Sequence, residues 1–184
     1  MKNILYLTVI ALLSSSLFFI PQSRAEKVES GQINFTGTQM GATVQGGFRQ
    51  FSADLHFDAQ DLPHSYAHIT IDLGSVDLAS EESEDEIKGK HWFSIQSFPQ
   101  ARFDSSDIQR VGPNQYLVWG LFQLKGVRKP LRIPLKMSYD HSGRSAQGRF
   151  ILKRNDFGVG DGTWSATDTV ADEVTVDYRF TLIP

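Results

Sequence analysis

Five histidines, an acidic run at 81–86, a glycine-rich stretch at 158–162 and scattered serines are the residues here with chemical potential. His64 and His68 stand four apart, a spacing that puts two metal ligands on one face of a helix. Pro63 precedes the pair and an alternating apolar pattern begins at Ala67, so the helix that this spacing requires is missing. His56, His91 and His141 are scattered, and with no cysteine in 184 residues a closed zinc site has no ligand set. Glu81, Glu82, Glu84, Asp85 and Glu86 lack the glycine turn and regular ligand spacing of a calcium loop, and read as the solvated start of a helix. Gly158-Val159-Gly160-Asp161-Gly162 lacks the strand-to-helix setting of a phosphate cradle and reads as a connecting loop. Beside it, Arg154 and Asp156 are expected to pair, the other reading being Arg154 against a ligand headgroup. No nucleophile elbow or zinc-protease helix is present, and an enzyme is not expected. What remains is hydrocarbon: Phe51, Phe57, Ile69, Ile71, Trp92, Phe93, Phe98, Phe103 and Phe122 are the candidates to line an apolar ligand site. From the residues alone, an ordinary packed core stands beside that reading.

Those side chains need elements to hold them, and the elements follow from period two. Phe51, Ala53, Leu55 and Phe57 alternate with Ser52, Asp54 and His56. Ala67, Ile69, Ile71 and Leu73 alternate in the same way. Leu131 to Tyr139 and Val174 to Leu182 repeat the pattern, which is that of half-buried strands. Gln32–Met40, Arg102–Gln109 and Ala146–Lys153 are weaker strand candidates. Turn signals stand at Gly46-Gly47, Gly112-Pro113-Asn114, Gly126 and Asp140–Gly143. Short strands at hairpin spacing predict an all-β fold, an antiparallel barrel of about eight strands. Ser80 to Trp92 breaks the rhythm and predicts a short helix with a capping box at Ser83–Glu86, followed by aromatics that plug or gate one end. Tyr116 to Leu124 is apolar on both faces, and Leu117, Trp119 and Leu121 define an outward patch, either an interface or an isolated outward Trp.

Met1 to Ala25 has the pattern of a secretory signal peptide: Lys2, an apolar run from Ile4 to Ile20, Pro21, and Ser23-Arg24-Ala25. The expected mature domain is 26–184, in the periplasm or secreted. Without the leader, which holds two bases and no acid, 16 basic and 21 acidic side chains leave a net charge of −5. That balance argues against nucleic acid, which needs a basic patch, and against adsorption on anionic lipid.

From about Ile33 to Leu182 the chain resembles the YceI-like family of exported lipid-binding proteins. The resemblance rests on segments that follow one another in order. They are Val44-x-Gly46-x-Phe48-x-x-Phe51, Leu55-x-Phe57-Asp58, Ile69-x-Ile71-Asp72-x-x-Ser75-Val76, Glu84-Asp85-Glu86-Ile87-Lys88-x-x-x-Trp92-Phe93 and Phe98-Pro99-x-Ala101-x-Phe103-x-Ser105, then Gly120-x-Phe122-x-Leu124-x-Gly126-Val127-x-x-Pro130 and Leu152-x-Arg154-x-Asp156-Phe157-Gly158-Val159-Gly160. The resemblance implies a lipocalin-like barrel with an elongated apolar cavity. It implies a bound polyisoprenoid or ubiquinone-like lipid and no catalytic cofactor. It also implies a homodimer in some members and a membrane b-type cytochrome as partner in others. Many members carry a His-Leu-Gly-like stretch after the first strand. Here it is Gln39-Met40-Gly41, so a contact made by that His is not carried over. The alternative reading is a non-enzymatic module that docks on a membrane cytochrome or another envelope partner.

Overall fold

The alternating segments become strands of one curled antiparallel sheet. The computed structural model describes residues 26–140 and 143–183, and the leader lies outside them. The strands are β1 (Glu26–Gln39), β2 (Ala42–Phe48), β3 (Phe51–His56), β4 (Tyr66–Asp72), β5 (Val76–Asp77), β6 (Gln100–Gly112), β7 (Gln115–Leu124), β8 (Val127–Asp140), β9 (Gly143–Lys153) and β10 (Glu173–Ile183), with one helix, α1 (Glu81–Lys88). The sheet runs β10-β9-β8-β7-β6-β4-β3-β1-β2-β5, and β10 also pairs with β1. Eight strands therefore form a circuit, as the period-two runs predict, and β2 and β5 extend it to ten.

The circuit is unevenly closed. The β1–β10 ladder runs from Lys27↔Ile183 to Thr36↔Thr175. On the other side of β1, among the described residues, Glu26↔Leu55 and Lys27↔Asp54 alone join β3, and beyond them β1 turns to pair with β2. A second gap lies between β8 and β9. Their ladder covers only Lys136–Asp140 against Gly143–Gln147, so Val127–Leu135 has no β9 partner among the described residues. Pro130 and Pro134 stand on that stretch opposite Leu121 and Leu117 of β7. A proline cannot donate to a ladder, so at both positions the nitrogen faces the gap, where prolines are tolerated on an unpaired edge. Tyr178 of β10 lies opposite Gly148 of β9, and its hydroxyl donates to the Pro134 carbonyl at 2.9 Å. A Cβ on Gly148 would overlap that carbonyl and touch the Tyr178 ring, so only glycine permits the lacing.

Two local expectations are corrected. Gly46-Gly47 is not a turn but lies inside β2. The turn is Met40-Gly41, both with positive φ, and Gly46 is needed because a Cβ there would collide with Phe35 and Leu78. The helix is capped by Ser80, which accepts from the Ser83 N–H, rather than by a box starting at Ser83. Glu84 is thereby free to bind elsewhere: it accepts from Arg49 at 2.8 Å and from the Leu78 N–H at 3.3 Å, mooring α1 to the barrel. These bonds, the Arg49 guanidinium first, hold its carboxyl down to about 2.

Candidate ligand-binding site

Inward positions of almost every strand surround one cavity of about 650 Å³. Protein interiors are normally packed to crystal density, with voids no larger than a few waters. A space of this size falls instead in the range of small-molecule pockets. Its walls are β1 (Ile33, Phe35), β3 (Leu55) with Phe57 just after it, β4 (Ala67, Ile69, Ile71), β6 (Ala101, Phe103, Ile108), β7 (Val118, Phe122, Leu124), β8 (Ile133, Leu135, Met137), β9 (Phe150, Leu152) and β10 (Val174, Val176, Phe180, Leu182). The floor lies where β3 ends and β7 begins. There Phe57 meets Tyr116 edge-on at 4.8 Å, and Tyr116, Met137 and Leu182 are almost fully buried.

The other end is the mouth, where the charged groups of the lining gather. Glu82, Ser83 and Glu86 of α1 reach it beside Trp92, Trp164 and Arg154. Trp92 packs against Trp164 at 5.7 Å and donates its Nε1–H to Glu86 at 3.2 Å. Phe93 follows inward against Phe48, which meets Phe35, so α1 and the aromatics after it cover one end as their sequence predicts.

Arg154 organises the rim beside Trp92, with its guanidinium 6.0 Å from the Trp92 ring centre. It is 4% exposed, and no carboxylate within ion-pair distance of it is found among the described residues. Nε donates to Ala171 O at 3.0 Å, Nη2 to Val170 O at 2.7 Å, and Nη1 to Val159 O, Gly160 O and Asn155 Oδ1 at 2.9–3.1 Å. Burial pushes its pKa down and Asp172 partly restores it, and a guanidinium stays charged at neutral pH. The expected Arg154–Asp156 pair is not formed. Asp156 is exposed and binds Lys129 at 2.8 Å, because the 3₁₀ turn Arg154–Phe157 points the two side chains apart.

Of the nine side chains proposed for the lining, the structure brings Phe57, Ile69, Ile71, Trp92, Phe93, Phe103 and Phe122 to the cavity. Phe51 and Phe98 are not on it. Phe51 fills the space over Gly31 and packs on Phe180 at 5.4 Å, within the wall. Phe98 lies in the loop before β6, where strand parity does not apply, and its ring covers Gly126. Phe35, Phe48, Phe150 and Phe157 line the cavity and were missed. Parity within β1 and β9 would have found Phe35 and Phe150, whereas Phe157 sits on a 3₁₀ turn with no period to read.

The histidines serve surface contacts: His64 with Asp61, His68 with Asp104 and His91 with Asp161, at 2.6–2.9 Å. No cluster of three metal-ligating side chains occurs among the described residues. Outside the barrel, Leu121 is 51% exposed, while Trp119 is half-buried with Arg132 over its ring at 5.1 Å.

An antiparallel barrel curled around a largely apolar cavity, with its charged groups gathered at one rim, defines a lipocalin-like architecture. The chain belongs to the YceI-like family: the YceI-like domain matches residues 26–182. It is similar to BcnA of Burkholderia cenocepacia, with 32% identity and a TM-score of 0.82 over 86% of this chain and all of that one. A polyisoprenoid binding domain from Saccharophagus degradans shares the fold, with a TM-score of 0.67 at 15% identity over 86% of this chain and 96% of that one. UPF0312 proteins of Yersinia pestis and Photorhabdus laumondii are 30% and 26% identical over 124 and 122 residues, 63% and 62% of this chain. The chain matches about 63% of the length of these two relatives.

Proposed function

We propose that this protein is a non-catalytic binding protein that holds a polyisoprenoid lipid or a quinone tail in its barrel, for transport, storage or sequestration outside the cytoplasm. The observation that carries the reading is the cavity of about 650 Å³, walled by hydrocarbon from floor to rim. Each methylene moved from water into such walls contributes roughly 0.8 kcal/mol, so a long chain binds without a hydrogen bond along its length. The rim supplies polar partners only where a headgroup would emerge. The Saccharophagus domain, which has this fold and is named for polyisoprenoid binding, supports the same ligand class. The leader pattern supports an exported protein, periplasmic or secreted.

Mass spectrometry of the organic extract of protein purified from its native host's envelope tests this. One prenyl lipid near one per chain is expected. A blank that persists after incubation with quinones and polyprenols overturns it. A second reading, an interface for another copy or a membrane cytochrome, draws on exposed Leu121 beside Trp119. Trp119→Asp that still co-purifies with every partner removes it.

A further inference from the structure

The outer surface of the barrel is electrically two-sided, although the whole chain is acidic. The wall of β3, β4 and β6 exposes Asp54, Asp104 and Asp107 against Arg102 and Arg110, and α1 adds its acidic run to tip this side negative. The wall on both sides of the β8–β9 gap is the reverse. Arg128, Arg132 and Lys136 alternate outward along β8, and Arg149 and Lys153 along β9, all exposed. The acids facing them are fewer: Asp177 pairs with Arg149 at 2.6 Å, Asp156 with Lys129 at 2.8 Å, and Glu173 lies opposite Lys153. Amid this basic surface, Ile151 is 57% exposed.

The same face is where the barrel wall is thinnest. The gap is bounded at one end by the Tyr178–Pro134 bond and at the other by the Lys129–Asp156 pair. Between them β8 and β9 share no ladder, and immediately inside lie Ile133, Phe150 and Leu152 of the cavity wall. A basic surface around an exposed aliphatic side chain and an unpaired seam complements an anionic surface that also offers hydrocarbon.

We propose that the β8–β9 face docks this protein on the anionic headgroup surface of a phospholipid bilayer, with Ile151 and the unladdered seam turned toward the lipid. The occupant follows from charge complementarity: basic groups near such a surface each attract it by about 1 kcal/mol, over a range limited by the Debye length. The acidic wall is repelled and so faces away, which sets the orientation. The net charge of −5 that argues against adsorption averages over these two faces and conceals the basic one. The idea deepens the lipid-holding reading, because it gives the apolar cargo a route along the seam that stays out of water.

Co-sedimentation of the mature protein with vesicles tests docking without reference to cargo. One set contains one-third phosphatidylglycerol in phosphatidylcholine, the other phosphatidylcholine alone. Binding to the anionic set only, weakened by salt, is expected. Lys136→Glu with Lys153→Glu should reduce it about 30-fold or more, taking about 1 kcal/mol for each basic group removed. Lys90→Glu with Arg102→Glu makes the same change in net charge away from this face and should weaken it far less. Because the chain has no cysteine, Ile151→Cys and Asp54→Cys can each be labelled with an environment-sensitive dye. A blue shift on anionic vesicles is expected at 151 and not at 54. Equal binding to both vesicle sets, no binding to either, equal losses in the two charge-reversed pairs, or a shift at 54 alone overturns the proposal. An acidic protein as the true partner would show as absence of vesicle binding. Loss of docking with cargo still in the extract would leave the carrier reading intact, and docking by a cargo-free protein would do the reverse.

Discussion

Replacing Arg154 by lysine keeps the charge and removes the fork, so it isolates what the guanidinium does at the rim. Five oxygens accept from Arg154, four of them main-chain carbonyls at 159, 160, 170 and 171. A lysine ammonium has three donors, so at least two acceptors lose their partner. Asn155 is exposed and can turn to water; at least one carbonyl at this buried site cannot. Two charge-assisted bonds at about 1.5–3 kcal/mol each place the loss near 3–6 kcal/mol. For a domain of this size, about 2–4 °C per kcal/mol lowers the melting temperature by roughly 6–24 °C. Thermal unfolding followed by circular dichroism measures it, with Arg149→Lys as the reference. Arg149 makes an exposed pair with Asp177, and its replacement should cost no more than about 1 kcal/mol. If Arg154→Lys melts within 2 °C of the parent, the carbonyls are satisfied some other way and the organising role is wrong.

Gly148→Ala sets a methyl group against the Pro134 carbonyl and the Tyr178 ring, and should destabilise by more than about 3 kcal/mol, read as a loss of soluble folded protein or a large drop in melting temperature. A variant that melts like the parent would mean that β8 has room to retreat. Tyr178→Phe removes one hydroxyl bond, about 0.5–1.5 kcal/mol, and should speed exchange of a fluorescent fatty chain from the barrel; an unchanged off-rate would show that the lacing does not limit passage. Glu84 is held below its ordinary value, so its contribution to stability is full above about 4.5 and is lost as pH falls through that value toward about 2. Melting temperatures measured from pH 6 down to 3 should fall less steeply in Glu84→Gln than in the parent, and coincident acid limbs would discard the mooring.

The strands with one clean apolar face, such as Val174–Leu182, were legible because a half-buried strand must alternate. β2 was not, because its inward positions include Gly46, and its neighbour Gly47 reads as a turn when the close approach of Phe35 and Asn34 is unseen. The cavity lining was legible in parity but not in depth. Phe51 and Phe57 share one parity of the alternating run, and only the absence of a side chain at Gly31 draws Phe51 into the wall. The Arg154 site was out of reach, since carbonyls at 159, 160, 170 and 171 carry no side-chain signature. The basic face was hidden for a different reason: Arg128, Arg132 and Lys136 are visible at every fourth position of one run, but their union with Arg149 and Lys153 depends on β8 and β9 being neighbours.

Among the described residues, nine pairs join β1 to β10, their first strand to their last. Chains held together by contacts so distant in sequence fold slowly, because the entropy of closing the large loop is lost before the ladder returns any energy. The meander from β6 to β10 can assemble from adjacent hairpins, but the cylinder exists only once β10 reaches β1. Until then the apolar inner face is an open sheet with two bare edges, the form most prone to join another chain. Interruption of β10 is therefore expected to leave most hairpins intact and yet yield an aggregating protein, since the last strand serves as both wall and fastening.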